Sequence, residues 1–436
     1  MSVHSSIPSK IQAQPAFTRQ QWLIAIAMVV LALNLRPAIA AIGPLLQSIQ
    51  VDLELSFSVA SLLTSLPVLA MGLLSFIGFR LAQPLGLERT VAYSIALLAF
   101  ATAMRFWVPG ISWMLITALL AGIAIAMIQT LMPAIIKARF GTRAPLIMGF
   151  YVTAIMTGAA IAAISTPLMA SQLSWRASLG HWVWLALFAL VLWVCWLGRG
   201  RPSAGSATAS SGPLQSSHWR NRRSWQLAFF FALGTSCYVS VLAWLAPYAQ
   251  ELGYSAKQAG LLLGFLTACE VVAGIMFPWW ASRRSDKRIV IAVLCVLQLV
   301  GFTALALVPQ TALLLWVAFI GLGIGGIFPL AMIITMDHID HPLQAGRLTA
   351  FVQGVGYLIA AVAPWAAGYL RDWLQSFTLA WLLLAATSVL ALYLGVKFSA
   401  ISYRQHYVQG CVDDNEETDL RKHTPAYACD TSGPCN

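Results

Sequence analysis

Two ionisable side chains lie deep inside apolar runs of this sequence, and the chemistry open to them is the binding and release of a small charged solute. Arg36 sits in the run from Trp22 to Leu46, within the string Asn34-Leu35-Arg36-Pro37. Placing a guanidinium at the bilayer centre costs about 3 kcal/mol on insertion scales and roughly 10 or more on an isolated helix, so it calls for water-filled or anionic surroundings. Arg36 is too far from either end of its run to reach an interface easily by snorkelling, which makes it a binding-site candidate. Glu270 lies in another run, between Gly260 and Arg283, and helix rise puts it near the midplane, within one turn or so of Arg36 in depth. It is the proton-coupling candidate; the other role open to it is that of a static counter-ion for Arg36.

The remaining polar and aromatic residues in such runs are Asn34, Gln129, Tyr151, Thr153, Tyr238, Trp244, Gln353 and Tyr357. A guanidinium supplies forked donors, amides orient, and ring walls exclude water, which together suit a small planar anion. Cyanate fits this description, and so do nitrite-like, carboxylate and nitro-aromatic solutes. For Tyr151, Tyr238 and Trp244, ordinary helix packing is an equal reading.

The elements that must carry these residues follow from composition. A chain of 436 residues that is 59% hydrophobic and 9% charged, with a mean hydropathy of +0.77, is an all-α polytopic membrane protein rather than a soluble domain. Twelve apolar runs are each long enough to span as helices: 22–46, 57–79, 91–108, 113–135, 145–169, 179–197, 225–248, 258–280, 289–308, 312–336, 348–370 and 377–396. They divide the chain into an N-terminal arm (1–21), a first six-helix half (22–197), a basic linker rich in Ser, Ala and Gly (198–224), a second half (225–396) and a tail (397–436), with linker and tail expected to be disordered. No small-residue cleavage site follows the arm, so it is expected to be retained.

Most of the 26 Lys and Arg residues fall in the arm, the tail and alternate loops; only Arg105, Arg176, Lys257 and Arg371 fall in the intervening loops. That asymmetry places both termini in the cytoplasm and accounts for the net charge of +11. Basic residues scattered over short loops exclude a nucleic-acid partner. The partners expected are a small-molecule solute and the lipid bilayer, around a monomeric protein.

The halves also resemble each other. Ser56-Phe-Ser-Val-Ala60-Ser61-Leu62-Leu63 opens the second run and Ser255-Ala-Lys-Gln-Ala259-Gly260-Leu261-Leu262 the eighth, with Pro44 and Pro247 closing the runs before them. Twelve spans, a central basic linker and two parallel repeats are similar to the major facilitator fold. More specifically, Leu33-Asn34-Leu35-Arg36-Pro37 with Gly43-Pro44-Leu45-Leu46, Ile128-Gln129 through Pro133, and Phe328-Pro329-Leu330 through Asp337-His338 look like the cyanate and nitroimidazole transporter family. Gln353-Gly354, Gly356-Tyr357 and Ala363-Pro364-Trp365 resemble its cyanate branch. The resemblance implies a facilitated or proton-driven carrier of small anionic or weakly polar solutes in the bacterial inner membrane. It also implies a cavity lined by spans 1, 2, 4, 5, 7, 8, 10 and 11. The general facilitator pattern between spans two and three keeps Gly78, Gly86 and Arg89, but Ala82 stands where an Asp is usual, which argues against a gating salt bridge there.

Other motifs carry less. Gly321-Leu-Gly323-Ile-Gly325-Gly326 satisfies a dinucleotide pattern but has no strand before it, so close helix packing accounts for it. Asp337-His338-Ile-Asp340-His341 is expected to be a solvated group at the end of span ten, acting as a gate rather than a metal site. Cys195, Cys237, Cys269 and Cys295 fall in apolar runs, and Cys411, Cys429 and Cys435 in the tail without metal spacing. None of the seven histidines lies mid-membrane and no nucleophile has a base beside it, so neither an enzyme nor a cofactor is expected. The acidic run Asp413–Glu417 carries no recognisable chemistry. Export of drug-like or nitro-aromatic compounds is the alternative to uptake of a small anion, and signalling through the tail a third. Gly149 to Gly158 lacks the Gly-Pro-x-x-Gly-Gly run that similar proton antiporters carry there, which favours uptake.

Overall fold

Thr18 and Gln21 open the first span with a reciprocal cap: Thr18 Oγ1 accepts from Gln21 N at 3.2 Å and Gln21 Oε1 from Thr18 N at 3.1 Å, satisfying two of the helix's free donors. The computed structural model describes residues 18–197 and 217–399, apart from 285, 340 and 341. Among them, twelve helices are long and apolar enough to cross a membrane: Gln21–Leu53, Phe57–Ala82, Leu87–Trp107, Ile111–Phe140, Leu146–Ala170, Trp175–Cys195, Arg222–Glu251, Ala256–Ser282, Arg288–Leu307, Leu313–Asp337, Ala345–Leu374 and Thr378–Val396. These spans, one to twelve, coincide with the runs read from sequence; several helices continue past the apolar stretch into polar turns. An even number of crossings puts Thr18 and Ser399 on one face of the bundle, called terminal below, opposite a distal face.

The duplication is visible in matched details. Ser56 Oγ accepts from Val59 N at 3.2 Å, and Ser255 Oγ from Gln258 N at 3.3 Å, so each half caps its second span alike. On the terminal face Arg139 at the end of span four donates to Glu88 on span three at 3.0 Å, while Lys287 before span nine pairs with Asp337 at the end of span ten. The charges are exchanged between halves. Ala82, at the end of span two, is fully buried.

Glycines let the helices approach. A Cβ on Gly321 would lie 2.7 Å from Leu266 O and one on Gly325 would lie 2.4 Å from Glu270 Cα, both on span eight. A Cβ on Gly323 would lie 2.4 Å from Gln298 Cγ, and one on Gly326 2.4 Å from Leu294 Cδ2, both on span nine. The glycine run of span ten is therefore a packing seam in contact with two neighbours.

Two expectations require correction. The group at the end of span ten is not uniformly solvated: His338 is buried, its Nδ1 donating to Ile334 O at 2.7 Å and its Nε2 accepting from Arg223 Nε at 3.1 Å. Asp340 and His341 lie outside the described residues. The last part of the linker is ordered: Ser217–Arg220 is helical and span seven begins at Arg222. The reason is aromatic packing, since Trp219 stacks on Phe76 of span two at 6.0 Å and meets Phe351 of span eleven edge-on at 5.0 Å. Residues 198–216, and the tail from 400 with its cysteines and acidic run, are outside the described residues.

On the distal face the halves meet closely. A Cβ on Gly43 would lie 3.1 Å from Leu242 O, one on Gly260 2.3 Å from Ala163 O, and one on Gly368 2.6 Å from Phe57 O. These are the seams between spans one and seven, five and eight, and two and eleven. Asp372, near the end of span eleven, accepts from the backbone N–H groups of Phe57 at 2.9 Å and Ser58 at 2.8 Å, and from Ser58 Oγ. A carboxylate thus sits on the unpaired donors and positive dipole end of span two, across the boundary between halves. Gln250 adds a bond to Pro44 O at 3.1 Å.

Candidate functional site

Pro37 has no N–H to give Leu33 O, so span one cannot run through it as a regular helix. Helix stops at Leu33, restarts for one turn at Pro37–Ala40, and resumes at Ile42–Leu53. Asn34 and Leu35 close tight turns back to Leu31 O at 3.0 Å and Ala32 O at 3.1 Å. Span five fits against the break because Gly158 has no side chain; a Cβ there would come within 2.2 Å of Leu33 O. The interruption is what presents Arg36, rather than an ordinary helical residue, to the interior.

Arg36 is 6% exposed. Its guanidinium carbon lies 5.1 Å from the Tyr238 ring centroid, a cation–π distance. Among the described residues its Nε is buried without a hydrogen-bond partner, and so are the hydroxyls of Tyr151 and Tyr238 and both carboxyl oxygens of Glu270. Glu270 is 3% exposed and forms no direct ion pair with Arg36. Tyr151, Tyr238, Tyr357 and Glu270 all lie within electrostatic reach of the Arg36 guanidinium. Spans one, five, seven, eight and eleven therefore bring these residues together as one buried polar group around Arg36. Buried donors and acceptors of this kind are costly to leave unsatisfied. A small solute with acceptors for Arg36 and the tyrosines would satisfy several of them at once.

The other candidates stand at different distances from this group. Tyr357 belongs to it, its ring set edge-on against Phe231 at 5.3 Å. Gln353, one turn away on span eleven, donates to Met332 Sδ at 3.3 Å. Asn34 turns back on its own helix, donating to Val30 O at 2.8 Å, so it shapes the break. Gln129 and Thr153 are half-buried on spans four and five, and no hydrogen bond joins their side chains to Arg36. Trp244 lies apart, fully buried between Phe57 and Phe377 with its Nε1 donating to Pro364 O at 2.9 Å. It belongs to the distal closure, so of the two readings open to it from sequence the structure favours packing.

Two residues that sequence did not single out matter here. Arg105, counted with the distal loops, is instead fully buried at the end of span three. Asp372, of span eleven, is the carboxylate that caps the start of span two, described above. Nothing in their local sequence distinguishes either from an ordinary loop-edge charge, because their partners lie 67 and about 314 residues away.

The same architecture occurs in known proteins. The chain is 36% identical over 385 residues to the cyanate transport protein CynX of Escherichia coli (strain K12), covering 88% of this chain and 99% of that protein. It is 28% identical over 347 residues to the 2-nitroimidazole transporter of the same strain, covering 79% and 87%. A crystal structure of a D-xylose-proton symporter superposes with a TM-score of 0.71 at 13% identity, over 87% of this chain and 98% of that one, which shows the shared fold. Residues 23–364 match the Major Facilitator Superfamily, and this multi-pass membrane protein of twelve spans belongs to that family of secondary transporters.

Proposed function

We propose that this carrier moves a small anion of the cyanate class across the bacterial inner membrane by alternating access, inward and with protons, its terminal face in the cytoplasm. The observation that carries the reading is the buried guanidinium of Arg36, which among the described residues has no ion-pair partner and stands near three tyrosines. Its planar donors match a small linear or planar anion, and the similarity to CynX supports the same class. The excess of Lys and Arg in the arm and alternate loops supports the orientation. Export of nitro-aromatic compounds is the second reading, favoured by the similarity to the 2-nitroimidazole transporter.

The test is a substrate panel on the purified protein in liposomes. Labelled cyanate and comparably small anions are expected to enter with saturable kinetics and to compete with one another. Transport confined to bulky cations or neutral aromatics would overturn the anion reading.

Closure of the distal face is the other half of the cycle, and Asp372 is its latch in this reading. Spin labels at Ser56 and Gln375, in a background free of native cysteines, should report a longer separation when Asp372 is replaced. For Asp372→Ala, the share of molecules in the long-distance population is expected to rise several-fold, with slower net uptake. An unchanged distance distribution would show that the seams of spans one, five, seven and eight hold the face closed alone.

A further inference from the structure

Arg105 is a second buried guanidinium, 1% exposed, in the same half as Arg36. Among the described residues it has no acidic partner. Its Nη1 donates to Ala38 O at 2.8 Å and its Nε to Thr117 Oγ1 at 3.4 Å, while Nη2 is buried without a partner. The carbonyl it holds belongs to the single turn Pro37–Ala40, isolated between the break at Asn34–Arg36 and the bend at Ala41. That turn is bound to Arg36 itself, because Ile39 N and Ala40 N both donate to Arg36 O, at 2.9 and 2.8 Å. A chain of short contacts therefore runs from Arg105 through the turn to the backbone of Arg36.

A neutral donor would tie down one carbonyl at much lower desolvation cost than a buried cation. What a cation adds is positive potential in a region of low dielectric, close to the residue that would meet an anion. We propose that Arg105 is a positioning residue for substrate: it fixes the turn Pro37–Ala40, and with it Arg36, and adds its own charge to the field in which an anion binds. The second part rests on the anion reading given above; the first does not.

Two variants and two measurements test this. Arg105→Gln is neutral and too short to reach Ala38 O, yet stays polar; Arg105→Lys keeps the charge and one donor. Backbone hydrogen exchange over residues 34–41 needs no substrate. It is expected to be at least tenfold faster in the Gln variant and within threefold of the parent in the Lys variant. Uptake of labelled cyanate should show the KM raised tenfold or more for Gln with the maximal rate within threefold, and restored to within threefold by Lys. Unchanged exchange over 34–41 in the Gln variant overturns the positioning role. Lowered maximal rate with unchanged KM overturns the contribution to binding, since that pattern marks a merely structural residue. If the Gln variant does not fold, the Lys variant decides: a KM shift below threefold supports the proposal and one above tenfold refutes it. A parent protein that takes up no anion removes the anion reading, while the exchange measurement still decides whether Arg105 holds the turn.

Discussion

Arg36→Ala is expected to raise the KM for a small anion by roughly 10- to 100-fold, the equivalent of losing a charge-assisted hydrogen-bonded contact. Initial rates of uptake into liposomes measure it directly. The expectation follows from what the side chain does in the absence of solute: its Nε is buried unpaired, its guanidinium stands 5.1 Å over the Tyr238 ring, and Glu270 does not neutralise it directly. Arg36 is thus available to a solute. Arg36→Lys should fall between parent and Ala variant, because an ammonium keeps the charge but cannot present two parallel donors to a planar anion. It also loses part of the ring contact. Equal KM values for parent and Ala variant would mean that the solute binds elsewhere.

The fold was legible in the chain because lipid imposes one demand on every span, a complete set of internal backbone hydrogen bonds, and the answer to it is a countable run of apolar residues. The Ser56 and Ser255 caps were legible too, as local signals of three or four residues. The site was legible only in part. A charge in a lipid-length run stands out, as Arg36 and Glu270 do, but which face of a helix a residue occupies is set by its neighbours. Trp244 shows the difference: by sequence it is one more aromatic on span seven, and in the structure it closes the distal face against Phe57, Phe377 and Pro364 O. Asn34 shows another, since its amide is taken by Val30 O. Arg105 and Asp372 were hidden for a different reason: each lies at a span end, where charge is ordinary, and acquires its role from a partner far away in the chain.

Glu270→Gln is expected to abolish accumulation of the anion against its gradient while leaving exchange of bound for free anion within a fewfold of the parent. Among the described residues both carboxyl oxygens of Glu270 are buried without a hydrogen-bond partner, and Arg36 is the guanidinium within electrostatic reach of it. Whether such a carboxyl carries a proton depends on the balance between the cost of burying its charge and the attraction of that guanidinium. In the proposed cycle an anion bound at Arg36 takes up the guanidinium's charge, and a proton on Glu270 keeps the loaded site balanced. In that cycle the loaded carrier would cross with anion and proton together. Without substrate, the carboxylate and Arg36 can offset each other, and the empty carrier returns. Gln mimics the protonated form permanently: it removes the step at which the proton is released and leaves the guanidinium more available, so the anion should bind as tightly as in the parent or more so. The measurement is uptake with and without an imposed inward proton gradient, across a range of external pH. Stimulation by the gradient is expected to fall toward unity in the Gln variant, and the pH dependence of uptake to flatten. A Gln variant that still concentrates the anion with the parent's pH profile would assign Glu270 the static task of making a buried Arg36 tolerable in the membrane.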